Sequence, residues 1–350
     1  MNKKIALISP TLLTGGAERV ITILANNFIN EGLEVVIILM FRRPIEYEVS
    51  NKVKIVEPEF NREGIPKMIY VLKLIIYLFR EIRKVKPRGI ISFQSGYNLI
   101  SILCNAGQYP LIISDRSSPI KKKKRLQQIL ERILYPKADG LIAQTIKAKE
   151  HFLNQKLNKN IKVIYNPIKH IRVQRNQEKK NIILNVGRLV WEKNQIELVK
   201  IFKSIPTKGW ELMIVGKGPL KRELQEEIAG YPSIHLITDN VDIEYYYNIS
   251  KIYAMTSISE GYPNTLCEAM SAGLACISYN CVAGPNEIIN NSNNGYLIDL
   301  NNNKDYREKL YKLMKNQQLR DLMGNNAISK MKNYSDASQA KKYLNFVYEI

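Results

Sequence analysis

At 350 residues, 45% hydrophobic and 24% charged, the chain has apolar material for two ordinary cores, and one oversized core is excluded. Its four cysteines, Cys104, Cys267, Cys276 and Cys281, form no CxxC pair, and the apolar run Ile5 to Ile8 is too short for a signal-peptide core, so free thiols in a reducing cytoplasm are expected. The formal charge of +20 is uneven: residues 1–175 hold 31 Lys and Arg against 13 Asp and Glu, while residues 176–350 hold 21 against 19, a field that favours a polyanionic partner such as nucleic acid, an anionic bilayer or a phosphorylated acceptor.

Lys4–Ser9 reads as a buried strand, Pro10–Gly16 as a loop, and Val20, Ile23, Leu24 and Phe28 as the apolar stripe of a helix. The unit repeats. Val35–Met40, Ile90–Phe93, Leu111–Ser114 and Leu141–Ala143 read as further strands, and Ile65–Lys86 has the length of a helix. Asn166–Lys180 breaks this rhythm and reads as a linker. Beyond it come strands at Asn181–Val186, Glu211–Val215, Ile234–Ile237, Ala254–Thr256 and Ala275–Ser278, with helices at Asn194–Lys203, Leu220–Ala229 and Thr265–Ala272. Short apolar strands alternating with helices predict an α/β protein of two Rossmann-like domains, 1–168 and 169–335, each a parallel sheet covered on both faces. Two such domains facing a cleft would bind a ligand at the carboxyl ends of their strands. The most apolar run, Ile69–Phe79, is interrupted by Lys73 and falls short of the ~20 residues of a membrane span, so it is expected to pack on a sheet.

Gly15 and Gly16, with Ala17 and Glu18, stand where the first strand gives way to the first helix, which suits either a tight turn or close backbone approach to a phosphate. Gly187-Arg188-Leu189-Val190-Trp191-Glu192-Lys193-Asn194 puts two cations after a strand; they suit a diphosphate, or form a solvated basic loop. The most informative run is Ser259 to Gly273. Glu260 lies in the loop before a helix and Glu268 one turn inside it, with Gly261, Tyr262, Asn264 and Thr265 between them. Acceptor-only carboxylates there can take paired hydrogen bonds from sugar hydroxyls, and the amides around Asn264 and Thr265 can face phosphate or sugar oxygens. Equally, Glu260 can cap the helix and Glu268 can sit on an exposed helix face.

Taken together, these motifs resemble the retaining glycosyltransferase family 4 of GT-B fold. Glu260 to Glu268 is similar to its E-x7-E signature, Gly15-Gly16-Ala17-Glu18-Arg19 to its GGAE loop, and Gly187 to Lys193 to its GR…K segment. Gly216-Lys217-Gly218-Pro219, Ala283-Gly284-Pro285-Asn286-Glu287 and Asn294-Gly295-Tyr296-Leu297 match later landmarks in the same order. The resemblance implies a nucleotide-sugar site in the second domain. There Arg188 and Lys193 hold the diphosphate, Glu260 contacts the transferred sugar and Glu268 the ribose hydroxyls, while the Gly16 amide reaches donor phosphate from the first domain. It also implies a final helix, within 336–350, that returns to the first domain, and a front-face transfer in which the leaving phosphate helps deprotonate the acceptor.

Two departures stand out. Where many members carry a His after the strand ending at Ser114, this chain has Asp115 and Arg116, to which any acceptor-side or sugar-side role falls. The usual Leu-Gly near the base is replaced by Ile237-Thr238-Asp239-Asn240, so UDP is an expectation from frequency. The histidines His151, His170 and His235 lie outside every motif and no Asp-x-Asp occurs, so neither a metal nor another cofactor is expected. The expected partners are a nucleotide-sugar donor, a lipid-linked or glycan acceptor of surface polysaccharide assembly, and an anionic membrane surface met through the basic first domain from the cytoplasmic side. Two apolar and basic segments, Ile65–Arg88 and Pro119–Leu134, are the candidates for that contact. The alternatives are a non-catalytic basic nucleic-acid-binding protein, for which no motif is present, and a sugar-nucleotide epimerase of similar fold, which would need no acceptor.

Overall fold

The structure, a computed structural model, describes residues 3–13, 15–61, 63–116, 118, 123–168, 171–172, 177–239 and 241–350. The backbone divides into two units, Met1–Pro167 with Asp336–Ile350, and Ile168–Ser335.

The first unit runs β1 (Lys4–Ser9), α1 (Gly16–Asn30), β2 (Glu34–Leu39), β3 (Lys54–Val56), α2 (Lys67–Val85), β4 (Gly89–Phe93), α3 (Ser95–Asn105), β5 (Leu111–Ser114), α4 (Arg125–Leu134), β6 (Gly140–Ala143), α5 (Ile146–Asn154) and β7 (Ile161–Val163). Its strands are parallel in the order β3-β2-β1-β4-β5-β6-β7, with Ile5 opposite both Val35 and Gly89. Side chains alternate across the sheet as a pleated strand requires. Ala6 and Ile8 join one core with α2, α3 and α5, whereas Ile5 and Leu7 join another with α1 and the C-terminal helix. That helix packs closely because Gly140 leaves room for it: a β-carbon there would lie 2.6 Å from the Phe346 ring.

The second unit runs β8 (Ile182–Val186), α6 (Gln195–Lys203), β9 (Glu211–Val215), α7 (Lys221–Ile228), β10 (Ile234–Ile237), α8 (Ile243–Ile249), β11 (Ile252–Met255), α9 (Asn264–Ser271), β12 (Ala275–Asn280), α10 (Pro285–Ile288), β13 (Tyr296–Asp299), α11 (Asn303–Lys315) and α12 (Gln317–Met331). The C-terminal helix of the first unit is α13 (Asp336–Tyr348). Six parallel strands lie in the order β10-β9-β8-β11-β12-β13. Leu198, Phe202, Leu224, Tyr306, Leu310 and Leu313 close the core on one face of this sheet.

Both sheets are parallel and covered by helices, as the alternating pattern predicts. The edge strands β3, β7 and β13 were not expected, and the strand expected at Ala254–Thr256 begins earlier, at Ile252. Of the expected linker, residues 169, 170 and 173–176 lie outside the described residues; Ile168 pairs with Ser335 in an isolated bridge. Among the described residues no helix is long and apolar enough to cross a membrane.

Candidate active site

In the second unit the strand order reverses between β8 and β11, and the carboxyl ends of such neighbouring strands are where open parallel sheets bind ligands. Lys193 comes from the first loop and Glu260 from the second. The Lys193 ammonium donates to both Glu260 oxygens, at 2.6 and 2.8 Å, and Glu260 is only 7% exposed. The two loops are tied at two more points. Thr256 Oγ1 donates to the Asn194 carbonyl at 2.8 Å and the Ile258 amide to the Glu192 carbonyl at 3.0 Å. Asn194, with φ 49°, ends the single turn Trp191–Lys193 and lets the chain enter α6. Lys193 is therefore an internal partner, not part of a solvated basic loop. Arg188, on the same loop, is exposed, and its carbonyl accepts from Gln195 Nε2 at 3.0 Å.

Beneath this loop runs the loop after β9. A β-carbon on Gly216 would stand 1.9 Å from the Gly187 carbonyl oxygen, and one on Gly218 2.3 Å from that of Leu189, so only glycine permits the approach.

Glu268 lies inside α9 and is 3% exposed, which removes the exposed-face reading. Its Oε2 accepts from the Tyr247 hydroxyl at 3.1 Å, and Tyr247, on α8, is fully buried. Tyr253 of β11 donates to Thr265 Oγ1 at 2.7 Å; burial holds its hydroxyl well above the usual tyrosine range, so it stays protonated and can donate. Glu260 does not cap α9, whose N-cap is Pro263. Gly261, Asn264 and Thr265 are half-buried at the entrance to the helix, and the buried Tyr262 accepts from Cys267 Sγ at 3.5 Å.

In the first unit the order reverses between β1 and β4. Gly15 and Gly16 follow β1, while Thr14 lies outside the described residues. The Gly15 amide donates to the Tyr47 hydroxyl at 3.0 Å, and the Glu18 carboxylate accepts from Gln94 Nε2 at 2.8 Å. Gln94 follows β4 at the N-cap position of α3 with φ 75° and ψ 125°, outside the left-handed helical region that other residues with positive φ such as Lys86 and Ala106 occupy.

Asp115, expected to face the acceptor or the sugar, is 1% exposed. Its Oδ2 takes the Lys123 ammonium at 3.0 Å and the Tyr135 hydroxyl at 3.2 Å, and Lys123 also binds both Glu131 oxygens at 2.9 Å. Burial lowers the Lys123 pKa, but Asp115 and Glu131 together outweigh it and leave the ammonium above its ordinary value. Arg116 donates to Asn166 and, at 3.5 Å, to the Tyr343 hydroxyl of α13, with its guanidinium 5.8 Å from the centre of the Phe93 ring. Both residues are thus engaged in tying the unit together, a geometry that gives no support to direct substrate contact by Asp115.

The remaining candidates bear on metals and thiols. Burial lowers the His151 pKa, His235 stands 3.3 Å from Glu211, and His170 lies outside the described residues. Among the described residues no group of three His, Cys, Asp or Glu could hold a metal ion. All four cysteines are free and buried, and burial pushes the thiol of Cys104 up to about 11 and those of Cys267 and Cys281 to about 12. Gln94 and Tyr247 carry no signal in the sequence, and Lys123, expected in the basic run that meets a membrane, is instead taken up by Asp115 and Glu131. Buried tyrosines read as core, and a positive φ on glutamine leaves no mark in spacing.

Residues 168–330 match the family Glycosyl transferases group 1, and residues 14–172 match Glycosyltransferase Family 4. The chain is a glycosyltransferase of this family, with the GT-B fold. It is 29% identical over 334 residues to the amylovoran biosynthesis glycosyltransferase AmsD of Erwinia amylovora, covering 91% of this chain and 92% of that protein. It is 26% identical over 357 residues to a GalNAc-alpha-(1->4)-GalNAc-alpha-(1->3)-diNAcBac-PP-undecaprenol alpha-1,4-N-acetyl-D-galactosaminyltransferase of Campylobacter jejuni, covering 99% of each. Among solved structures, a glycosyltransferase from Rickettsia africae superposes with a TM-score of 0.83 at 18% identity over 99% of this chain and 98% of that one. HepE of Anabaena, in complex with UDP and glucose, does so at 0.83 and 14% identity, over 99% and 100%.

Proposed function

We propose that this glycosyltransferase moves a sugar, with retention at the anomeric carbon, from a UDP-sugar to a lipid-linked glycan during surface polysaccharide assembly at the cytoplasmic face of a membrane. The observation that carries the reading is the pair of buried carboxylates, Glu260 and Glu268, at the point where the second sheet reverses its order, one of them clamped by Lys193. Buried carboxylates there are suited to neutral hydroxyl groups, and a lysine has three protons to offer. Lys193 can keep its contacts to Glu260 and still direct a proton at a phosphate oxygen, while the exposed Arg188 supplies a planar fork for the same diphosphate.

In this reading residues 169–335 bind the donor and residues 1–168 with 336–350 face the acceptor. Glu268 takes the ribose hydroxyls and Glu260 the migrating sugar. Gly216, Gly261, Tyr262, Asn264 and Thr265 line the donor, and Gly15, Gly16 and Glu18 of the first unit are assigned as substrate-binding residues. The bond from the anomeric carbon to the diphosphate oxygen breaks, and the bond to the acceptor oxygen forms on the same face. The acceptor proton passes to the departing phosphate, whose growing charge Arg188 and Lys193 stabilise. We assign Asp115 and Arg116 to holding the acceptor-side unit in shape rather than to contact with substrate. The UDP assignment draws on the UDP complex of HepE, and the lipid-linked acceptor on the undecaprenol-linked substrate in the name of the Campylobacter enzyme.

A transfer assay with a panel of nucleotide-sugars and an undecaprenyl-diphosphate-linked acceptor tests this. Turnover is expected with a UDP-sugar, with the anomeric configuration kept and no loss in EDTA, because cationic side chains take the place of a divalent ion. Glu260→Ala should slow transfer by about 1–3 kcal/mol in activation free energy. Wild-type kinetics in Glu260→Ala, or activity abolished by EDTA and restored by manganese, would overturn the assignment.

A further inference from the structure

The face of the first unit that carries α2, α3 and α4 exposes more apolar surface than packing on the sheet accounts for. On α2, Tyr70, Leu74, Leu78, Ile82 and Val85 are buried, a stripe spaced by four and three residues that meets the sheet. A second row on the same helix, Met68, Leu72, Ile76 and Phe79, is 85, 58, 42 and 41% exposed. At 100° per residue Leu72 and Ile76 lie about 200° from Tyr70 and Leu74, so this row points away from the core. The helix is apolar on two opposite sides, and only one of them is used.

Helix α4 is turned the other way round. Its buried residues are Glu131, held by Lys123, and Leu134, while Leu126, Ile129, Leu130 and Ile133 are 68, 46, 37 and 56% exposed. An acid faces inward and the aliphatic side chains face water. α3 packs against both α2 and α4 and adds Leu103, 52% exposed. Exposed apolar rows of this kind on helices that pack side by side mark an interaction site, not ordinary surface scatter.

The charge around it selects the partner. α2 carries Lys67, Lys73, Arg80, Arg83 and Lys84 against Glu81 alone, and Lys124, Arg125 and Arg132 surround the exposed row of α4. Of the basic run expected before α4, Lys121 and Lys122 lie outside the described residues. Two copies of this face would repel each other. A bilayer with anionic headgroups would accept the aliphatic side chains at the acyl boundary and neutralise the cations at once.

We infer that the α2–α4 face of the first unit is a docking surface for an anionic lipid bilayer, with Leu72, Ile76, Phe79, Ile129 and Ile133 entering the interface and the flanking Lys and Arg contacting headgroups. The inference deepens the proposed use of a lipid-linked acceptor and rests on that reading for its purpose, though not for its physics.

Flotation of the full chain with vesicles of phosphatidylcholine, with and without about a third phosphatidylglycerol, decides it. The protein should float with the anionic vesicles and not the neutral ones, and release in high salt should be partial, since the apolar part survives screening. Ile76→Glu combined with Ile129→Glu should weaken anionic-vesicle binding at least about tenfold. The variant should keep the wild-type melting temperature and donor hydrolysis, because both positions are exposed. Equal binding to both vesicle types, binding to neither, or unchanged binding by the double variant would overturn the inference. So would self-association without lipid that the double variant abolishes. Docking as expected, together with failure to use any lipid-linked acceptor, would uphold the surface and refute the acceptor reading alone.

Discussion

Glu268 is a buried carboxylate of α9 that accepts from a neutral hydroxyl. Tyr247, fully buried, donates to it and also stands 3.2 Å from the Thr265 carbonyl, so its single proton has two acceptors within reach. If Glu268 meets ribose hydroxyls, Tyr247 is a positioning residue for that contact. Tyr247→Phe should therefore weaken UDP binding about five- to tenfold, the worth of one ordinary hydrogen bond, because the contact acts on the ligand only through Glu268. It should also shrink the preference for UDP over its 2′-deoxy and 3′-deoxy analogues, and Glu268→Gln should do the same. Retained discrimination in Tyr247→Phe but not in Glu268→Gln would leave the tyrosine a plain core residue. At this scale the carboxylates and the lysine could be read from the chain, because their spacing fixes them to one loop and one helix turn. That Lys193 partners Glu260, 67 residues away, could not, since no local pattern encodes a meeting across neighbouring strands.

Helix α4 shows why amphipathic spacing alone misleads. Leu126, Ile129, Leu130 and Ile133 recur at helical intervals, a spacing that suits packing on the sheet, yet all four are exposed and the side chain that α4 buries beside Leu134 is Glu131, in an ion cluster with Lys123 and Asp115. Removing the cation leaves two carboxylates buried together, which costs far more than losing a surface pair. Lys123→Met should lower stability by about 3 kcal/mol at pH 7, seen as a fall in the urea midpoint. The Lys123 pKa is raised by its two acidic partners, so the stability that this cation contributes is present below the ordinary lysine value and is lost as pH climbs through the raised one; the deficit of Lys123→Met should hold from neutrality to about pH 10 and shrink only in stronger alkali. A deficit that does not shrink there would mean the loss is one of packing. Adding Asp115→Asn and Glu131→Gln should recover much of it. Among the strands, the buried runs β1, β2, β4 and β9 were legible from apolarity alone. The edge strands β3, β7 and β13 are three or four residues long and half-buried at best along much of their length, and they carry little signal.

Across the whole molecule, the two units carry different kinds of information. The second holds the site-forming loops in a nearly neutral half of the chain, and the first holds the excess positive charge together with the exposed aliphatic rows of α2 and α4. Charge and apolar content could be read in the chain, but whether the aliphatic rows face the sheet or water depends on which side of each helix the core takes. The proposed transfer depends on donor binding by the second unit. Calorimetric titration of UDP into the wild type and into Glu268→Ala measures this most directly. Binding by the wild type with affinity reduced at least about tenfold in the variant, at unchanged melting temperature, is the predicted result. Equal affinity in the two proteins would contradict it.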